Sequence, residues 1–279
     1  MKVFFLATGF ASVPMGLFVR GASWRRIEFP ILSILIERDG ELILFDTGIG
    51  ARIHDEMKPL RYRGNWFFNT FIMRTRFNPL RDPLIRQLPS LGFDPKKVSH
   101  VIVSHLHWDH AGGMRDFPHA RFIVSKEEWR AATSPGYFMH AYIREQYDRG
   151  GELLIQQVST EPNRPCLIFP SSHDLFGDGM FMLVDLPGHT KGMMGLILTL
   201  PSGRRFLFGG DSFYFPENLE WGAPKSRLMK VLAQEYPEAD ATIVNLHRLS
   251  QVEPTLEMVG SHDHRIPGKY QLAPVYYDS

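Results

Sequence analysis

The chain has 279 residues, 44% hydrophobic and 22% charged, a balance that suits a globular enzyme with a substantial core. A net charge of +1 excludes a global field that would recruit nucleic acid or an anionic membrane. The single cysteine, Cys166, excludes an intrachain disulfide and fits a reducing, cytoplasmic setting, and no apolar run approaches the ~20 residues of a membrane helix.

In chain order, "KVFFLATGF" predicts a first β-strand rather than a secretory signal, because the run is β-rich and soon interrupted by Thr8 and Gly9. "FPILSILIERDGELILFDTG" predicts two strands about a tight turn at Asp39-Gly40. A helical segment follows in "PLIRQLPSLGFDP", stopped by Gly92 and Pro95. "VSHVIVSH" is a buried strand, "ARFIVS" another, and "KEEWRAA" a helix. "GMFMLVDLPGHT" is a strand ending in a loop, "MMGLILTL" and "RRFLFGGD" are two more strands, and "TLEMVGSHD" is the last. "KSRLMKVLAQEY" and "ADATIVNLHRLSQ" carry helical periodicity. There is no repeat and no linker, so residues 1–279 are expected to form one domain.

The segment 52–86 breaks this pattern with eight basic residues against three acidic ones, interleaved with the aromatics of "NWFFNTFIMRTRF". Basic and aromatic residues together also suit nucleic acid or a membrane surface. The modest local charge and the lack of an RNA-binding signature favour an insert instead. Its apolar face would pack on the body, as a lid or a homodimer contact, while its arginines stay wet.

The densest chemistry lies in "SHLHWDHAGG", where His105, His107, Asp109 and His110 fall within six residues. In an extended chain residues two apart point the same way, so His105 and His107 can bind one ion from one side. Asp109 and His110 follow at a turn into small residues, a turn that suits a helix start and aims them at a second ion. Two ions need further ligands, and His189 in "PGHT", Asp211 in "GGD" and His262 in "GSHD" each follow an apolar strand beside small residues. Imidazole nitrogen with carboxylate oxygen suits zinc first, with manganese, cobalt and iron(II) also acceptable.

In the order "FDTG", "SHLHWDH", "PGHT", "GGD" and "GSHD", the sequence resembles the metallo-β-lactamase superfamily over nearly its whole length. The resemblance implies an α/β fold, an αββα sandwich with a dinuclear metal site at the sheet edge. It implies that His105, His107 and His189 hold one ion and that Asp109, His110 and His262 hold the other, with Asp211 bridging both. Asp46 of "FDTG" would lie beneath the metals and orient a ligand histidine.

Departures within the superfamily narrow the activity. His107 replaces the glutamate of flavodiiron relatives, and Asp211 stands where the familiar zinc β-lactamases carry cysteine. No basic RNA-clamping arm is evident beyond the ambiguous insert, which weighs against a tRNA-processing nuclease. Tyr214, three residues after Asp211 in "DSFY", is similar in spacing to the N-acyl homoserine lactonases and to relatives such as pyridoxolactonase, as is "FPILSILIE". The expectation is a lactone hydrolase acting on a small molecule through a metal-bridging hydroxide, with Tyr214 donating to the carbonyl and Asp109 passing a proton to the leaving alkoxide. The alternatives are a thioesterase or phosphodiesterase of the same fold and, more distantly, a non-catalytic binding member. His264, two residues from His262, and Lys191, beside "PGHT", are open between a site role and an ordinary one.

Overall fold

In the computed structural model, the described residues are all those of the chain except 60–61, 138–140, 149, 229–236 and 279. Twelve described strands form two six-stranded sheets. In the first sheet β1 (Lys2–Pro14), β2 (Arg26–Arg38), β3 (Glu41–Phe45), β4 (Val98–Ile102), β5 (Arg121–Ser125) and β6 (Leu154–Val158) lie in sequence order. β1, β2 and β3 pair antiparallel, and β3 to β6 pair parallel. The second sheet runs β12 (Leu256–Val259), β11 (Arg205–Phe208), β10 (Met194–Thr199), β9 (Phe181–Asp185), β8 (Phe169–Asp174) and β7 (Glu161–Cys166). There only β11 and β12 pair parallel.

Alternation within the strands builds the layers. In β1, Val3 and Phe5 join Ile34, Ile43 and Ile102 against Leu196, Phe206 and Phe208 of the second sheet, and this is the core between the sheets. Phe4 and Leu6 point the other way, onto Leu84 and Leu88 of the helix Leu84–Ser90. On the far side, Val184, Ile197 and Leu207 meet Leu246 and Leu249 of the helix Glu238–Val252. With both faces covered, the strands read as continuous apolar runs, as the sequence displays. The result is the αββα sandwich expected from the sequence.

The Asp39-Gly40 turn forms as predicted, with φ of 51° and 87° at its two central residues. Three strands escape sequence reading. β6 and β7 close the free edges of their sheets, and β7 and β8 are polar segments with prolines, "EPNRPC" and "FPSSHD". Proline lacks a donor for a ladder and so disguises an edge strand. The expected helix "KSRLMKVLAQEY" lies largely outside the described residues.

The turn after His110 does not open an α-helix. Thr47 donates to the His110 carbonyl from both its N–H and its hydroxyl, each at 2.8 Å, so that oxygen cannot accept the next helical bond. A short 3-10 turn, Met114–Asp116, forms instead. Gly50 and Gly112 meet there so closely that a Cβ on either would overlap the other's backbone.

The segment 52–86 packs inward through Ile53 and Tyr62, which join Ile31, Ile49, Ile143 and Trp108. Trp108 lies between the candidate ligands His107 and Asp109, so the insert bears on the same loop that carries them. Its outer side exposes about half of Trp66, Phe67 and Phe71.

Candidate metal centre

Parallel strands deliver their carboxyl ends to one rim of a sheet, the usual place for a site in such folds. β3 leads to Asp46, β4 to the loop His105–His110, β9 to His189, β11 to Asp211 and β12 to His262. Backbone bonds tie these loops across the two sheets, Met194 N–H to Ser104 O at 2.9 Å and Leu32 N–H to Ser261 O at 3.0 Å.

All seven predicted residues converge, and none is more than 7% exposed. Ligand atoms of His105, His107 and His189 lie within 4.8 Å of one another, and so do those of Asp109, His110 and His262. Asp211 stands between these two sets. Its Oδ2 is 3.4 Å from His189 Nε2, while its Oδ1 is 3.3 Å from His110 Nε2 and 3.4 Å from His262 Nε2. One carboxylate thus offers an oxygen to each set.

The outer ring nitrogens are held from behind. His110 Nδ1 meets Asp46 Oδ2 at 2.8 Å, His105 Nδ1 meets Ser104 Oγ at 3.0 Å, and His189 Nδ1 meets the Tyr214 hydroxyl at 3.1 Å. Asp46 also accepts the Ser104 N–H and hydroxyl at 2.7 and 2.8 Å. Asp46 therefore orients His110. Such outer partners fix which nitrogen faces inward.

Metal ions fit this arrangement. His105 Nε2, His110 Nε2 and Asp211 Oδ1 are buried without a hydrogen bond, a penalty of about 1–3 kcal/mol for each such group unless a cation satisfies it. Burial and the neighbouring His110, His107 and His189 hold the His105 pKa well below the ordinary imidazole value. Burial also opposes charge on His110, yet Asp211, Asp46 and Asp109 together lift its pKa well above that value. For Asp211, burial is outweighed by His262 and His110, which drive its pKa well below the usual carboxylate range. Ligands must give up their protons to bind, so cations would displace protons from these imidazoles.

Several residues around the centre were not assigned by sequence reading. Glu128, wholly buried in the helix Lys126–Thr133, accepts hydrogen bonds from the loops of His105–His110 and His189. In sequence it is one of two adjacent acids in a first helical turn, where acids are common. Lys225, also buried, donates from Nζ to the Asp211 carbonyl at 2.7 Å and sits 4.0 Å from the centroid of the Tyr214 ring. His264 bonds Glu217 at 3.1 Å, which together with Arg265 ties the helix Pro216–Glu220 to the His262 loop. Lys191 is exposed, the ordinary outcome.

The sequence profile of the metallo-β-lactamase superfamily matches residues 26–253. The chain belongs to that superfamily. Among superfamily relatives, a probable metallo-hydrolase of Mycobacterium tuberculosis is 32% identical over 252 residues, 86% of this chain and 76% of that protein. The N-acyl homoserine lactonase AttM of Rhizobium radiobacter is 33% identical over 197 residues, 69% of this chain and 68% of its own. An N-acyl homoserine lactone hydrolase, solved with N-hexanoyl-L-homoserine at its catalytic metal centre, shares the fold with a TM-score of 0.73 at 22% identity, over 99% of this chain and 98% of that one. The dizinc lactonase AidC shares it with a TM-score of 0.60 at 17% identity, over 98% and 92%. This superfamily member is thus a metallo-hydrolase whose His and Asp clusters suit divalent metal ions. Among the described residues, no helix is long and apolar enough to cross a membrane.

Proposed function

We propose that the protein is a dinuclear metal hydrolase that opens a lactone, with N-acyl homoserine lactones as the first candidates. His105, His107 and His189 would hold one cation, Asp109, His110 and His262 the other, and Asp211 both. When bound, two divalent cations, zinc by preference, supply Lewis acidity and bring the pKa of water toward neutrality.

The observation that carries the reading is the contact of the Tyr214 hydroxyl with His189 Nδ1, at 3.1 Å, behind the metal-facing Nε2. An imidazole that ligates through Nε2 keeps its proton on Nδ1. That N–H must donate to the phenol oxygen, so the phenol's own proton is directed away from the ring. A phenol oriented in this way would be a donor for the negative oxygen that forms when a carbonyl is attacked. The ring is fixed edge-on by Phe18 at 4.5 Å and by the Lys225 ammonium on its face.

In lactone hydrolysis a water oxygen adds to the carbonyl carbon, and the ring C–O bond breaks to give a carboxylate and an alcohol. Asp109 stands on the loop beside Trp108 and can accept the water's proton and pass it to the departing alkoxide. The similarity to relatives named N-acyl homoserine lactonases supports the same substrate class. Turnover of a panel holding acyl lactones, glutathione thioesters and bis-nitrophenyl phosphate tests the reading. Lactones should be opened at least about tenfold faster, in kcat/KM, than members of the other two classes. Preferred thioester or diester cleavage would move the enzyme to another branch of the superfamily.

A further inference from the structure

We infer that Glu128 is a positioning residue that sets the affinity of the His105–His107–His189 site alone, by clamping its two loops onto one buried carboxylate. Glu128 is 0% exposed and accepts four hydrogen bonds. Oε1 takes the Leu106 N–H at 2.8 Å and the Tyr142 hydroxyl at 3.0 Å. Oε2 takes the Thr190 hydroxyl at 2.6 Å and the Gly192 N–H at 3.3 Å. Leu106 separates His105 from His107, and Thr190 follows His189, so both oxygens work within one residue of a candidate ligand. Tyr142 adds a third tie, since its ring lies 5.0 Å from that of His107 and its backbone bridges to His107.

The partners dictate the chemistry of the clamp. Two of them are backbone N–H groups, one on each oxygen, and a backbone N–H can only donate. Both Glu128 oxygens must therefore accept. A glutamine of the same shape puts an NH2 against Leu106 or Gly192, leaving donor facing donor in a buried place. The approach is close, because a Cβ on Gly192 would overlap the Glu128 backbone. Burial pushes the Glu128 carboxyl above its usual range, and the four donors oppose that push. The other set has its own buried acceptor, Asp46 on His110. The described partners of Glu128 include none of Asp109, His110 or His262.

The inference rests on the two-cation reading and needs no particular substrate. Zn2+ alone, titrated into metal-free protein against a competing chelator, tests it. Two cations bound by the wild-type chain support the two-cation reading, whereas a single cation overturns that reading separately. Glu128→Gln should weaken the first site about 10–100-fold, the usual effect of losing an outer partner of a ligand. In a His262→Ala background, where the first site stays intact, the same change should weaken Zn2+ binding. In a His107→Ala background, where the second site stays intact, it should leave binding unchanged. Thr190→Val and Tyr142→Phe each remove one donor and should weaken the first site severalfold, and they decide the matter if Glu128→Gln does not fold. Equal weakening of both sites, or unchanged affinity in Glu128→Gln or in both single-donor variants, overturns the inference.

Discussion

The loops that gather the candidate ligands and the segment 52–86 lie side by side yet follow opposite rules. In the loops the candidate ligands are buried and held by buried acceptors, as Asp46 holds His110 and Glu128 holds the chain between His105 and His107. In the segment, Trp66, Phe67 and Phe71 are 51%, 55% and 54% exposed and touch chiefly one another, with ring centroids 5.9 and 5.0 Å apart. Chemistry needs fixed geometry, and buried hydrogen bonds supply it. A contact with another molecule needs surface, and exposed aromatic rings are the kind of surface that marks such contacts. The two meet at Trp108, which sits in the ligand loop and packs against the insert.

The largest test of this contrast removes the bridge. Asp211→Ala should abolish binding of at least one cation and lower kcat/KM by about a thousandfold or more, since metal catalysis supplies several kcal/mol. Metal analysis alongside kinetics checks it, and an active variant with full metal content would end the bridging role. Asp46→Asn comes next. The amide cannot serve Ser104 and His110 as the carboxylate does, so affinity at the second site should fall about 10–100-fold. Tyr214→Phe is milder, about tenfold in kcat when measured at saturating metal, because one donor to the developing oxyanion is lost, and the loss of the His189 partner should also weaken metal affinity at the first site. Unaltered lactone turnover in the fully metallated variant would leave Tyr214 a packing residue only. Across the boundary, Trp66→Ser with Phe71→Ser should change a minimal lactone's turnover by less than about twofold while altering acyl-chain preference or oligomeric state. Chain-length profiles and light scattering together would detect either change.

The smallest effect concerns acid. Burial raises the Glu217 pKa, but hydrogen bonds from His264, from its own backbone and from Arg265 prevail and lower it to about 2 from an ordinary 4.5. A carboxyl depressed on folding stabilises above its unfolded value and loses that stabilisation as pH falls through the folded one. The difference in Tm between the wild type and Glu217→Gln should therefore shrink as pH drops from about 4.5 toward 2. A constant difference would detach the Glu217 network from acid stability.

These regions also differ in how much the sequence discloses. The candidate ligands were readable because coordination tolerates few side chains, so His105, His107, Asp109, His110, His189, Asp211 and His262 stand out against apolar strands. The sandwich was readable because strands buried on both faces, such as β1 and β2, leave unbroken apolar runs. Glu128 was not, since its role depends on loops 22 and 62 residues away that only tertiary folding brings near. Lys225 escaped for the same reason, a buried ammonium being indistinguishable in sequence from a wet one. The edge strands β6 and β7 and the neighbouring β8 lacked a hydrophobic signal, and the helix expected after Asp109 yielded to Thr47, which captures the one carbonyl it needed.

The contact of Gly50 with Gly112 has a consequence for descent. The insert leaves the body two residues after Gly50 and returns at the helix Leu84–Ser90, whose Leu84 and Leu88 are buried. Both ends are thus packed tightly against the body of the fold. A chain held at fixed ends can lengthen cheaply, each doubling adding only about 0.6 kcal/mol of closure cost. Insertions and deletions between these anchors can change the exposed surface of the segment while the loops of the candidate ligands inherit their geometry unchanged.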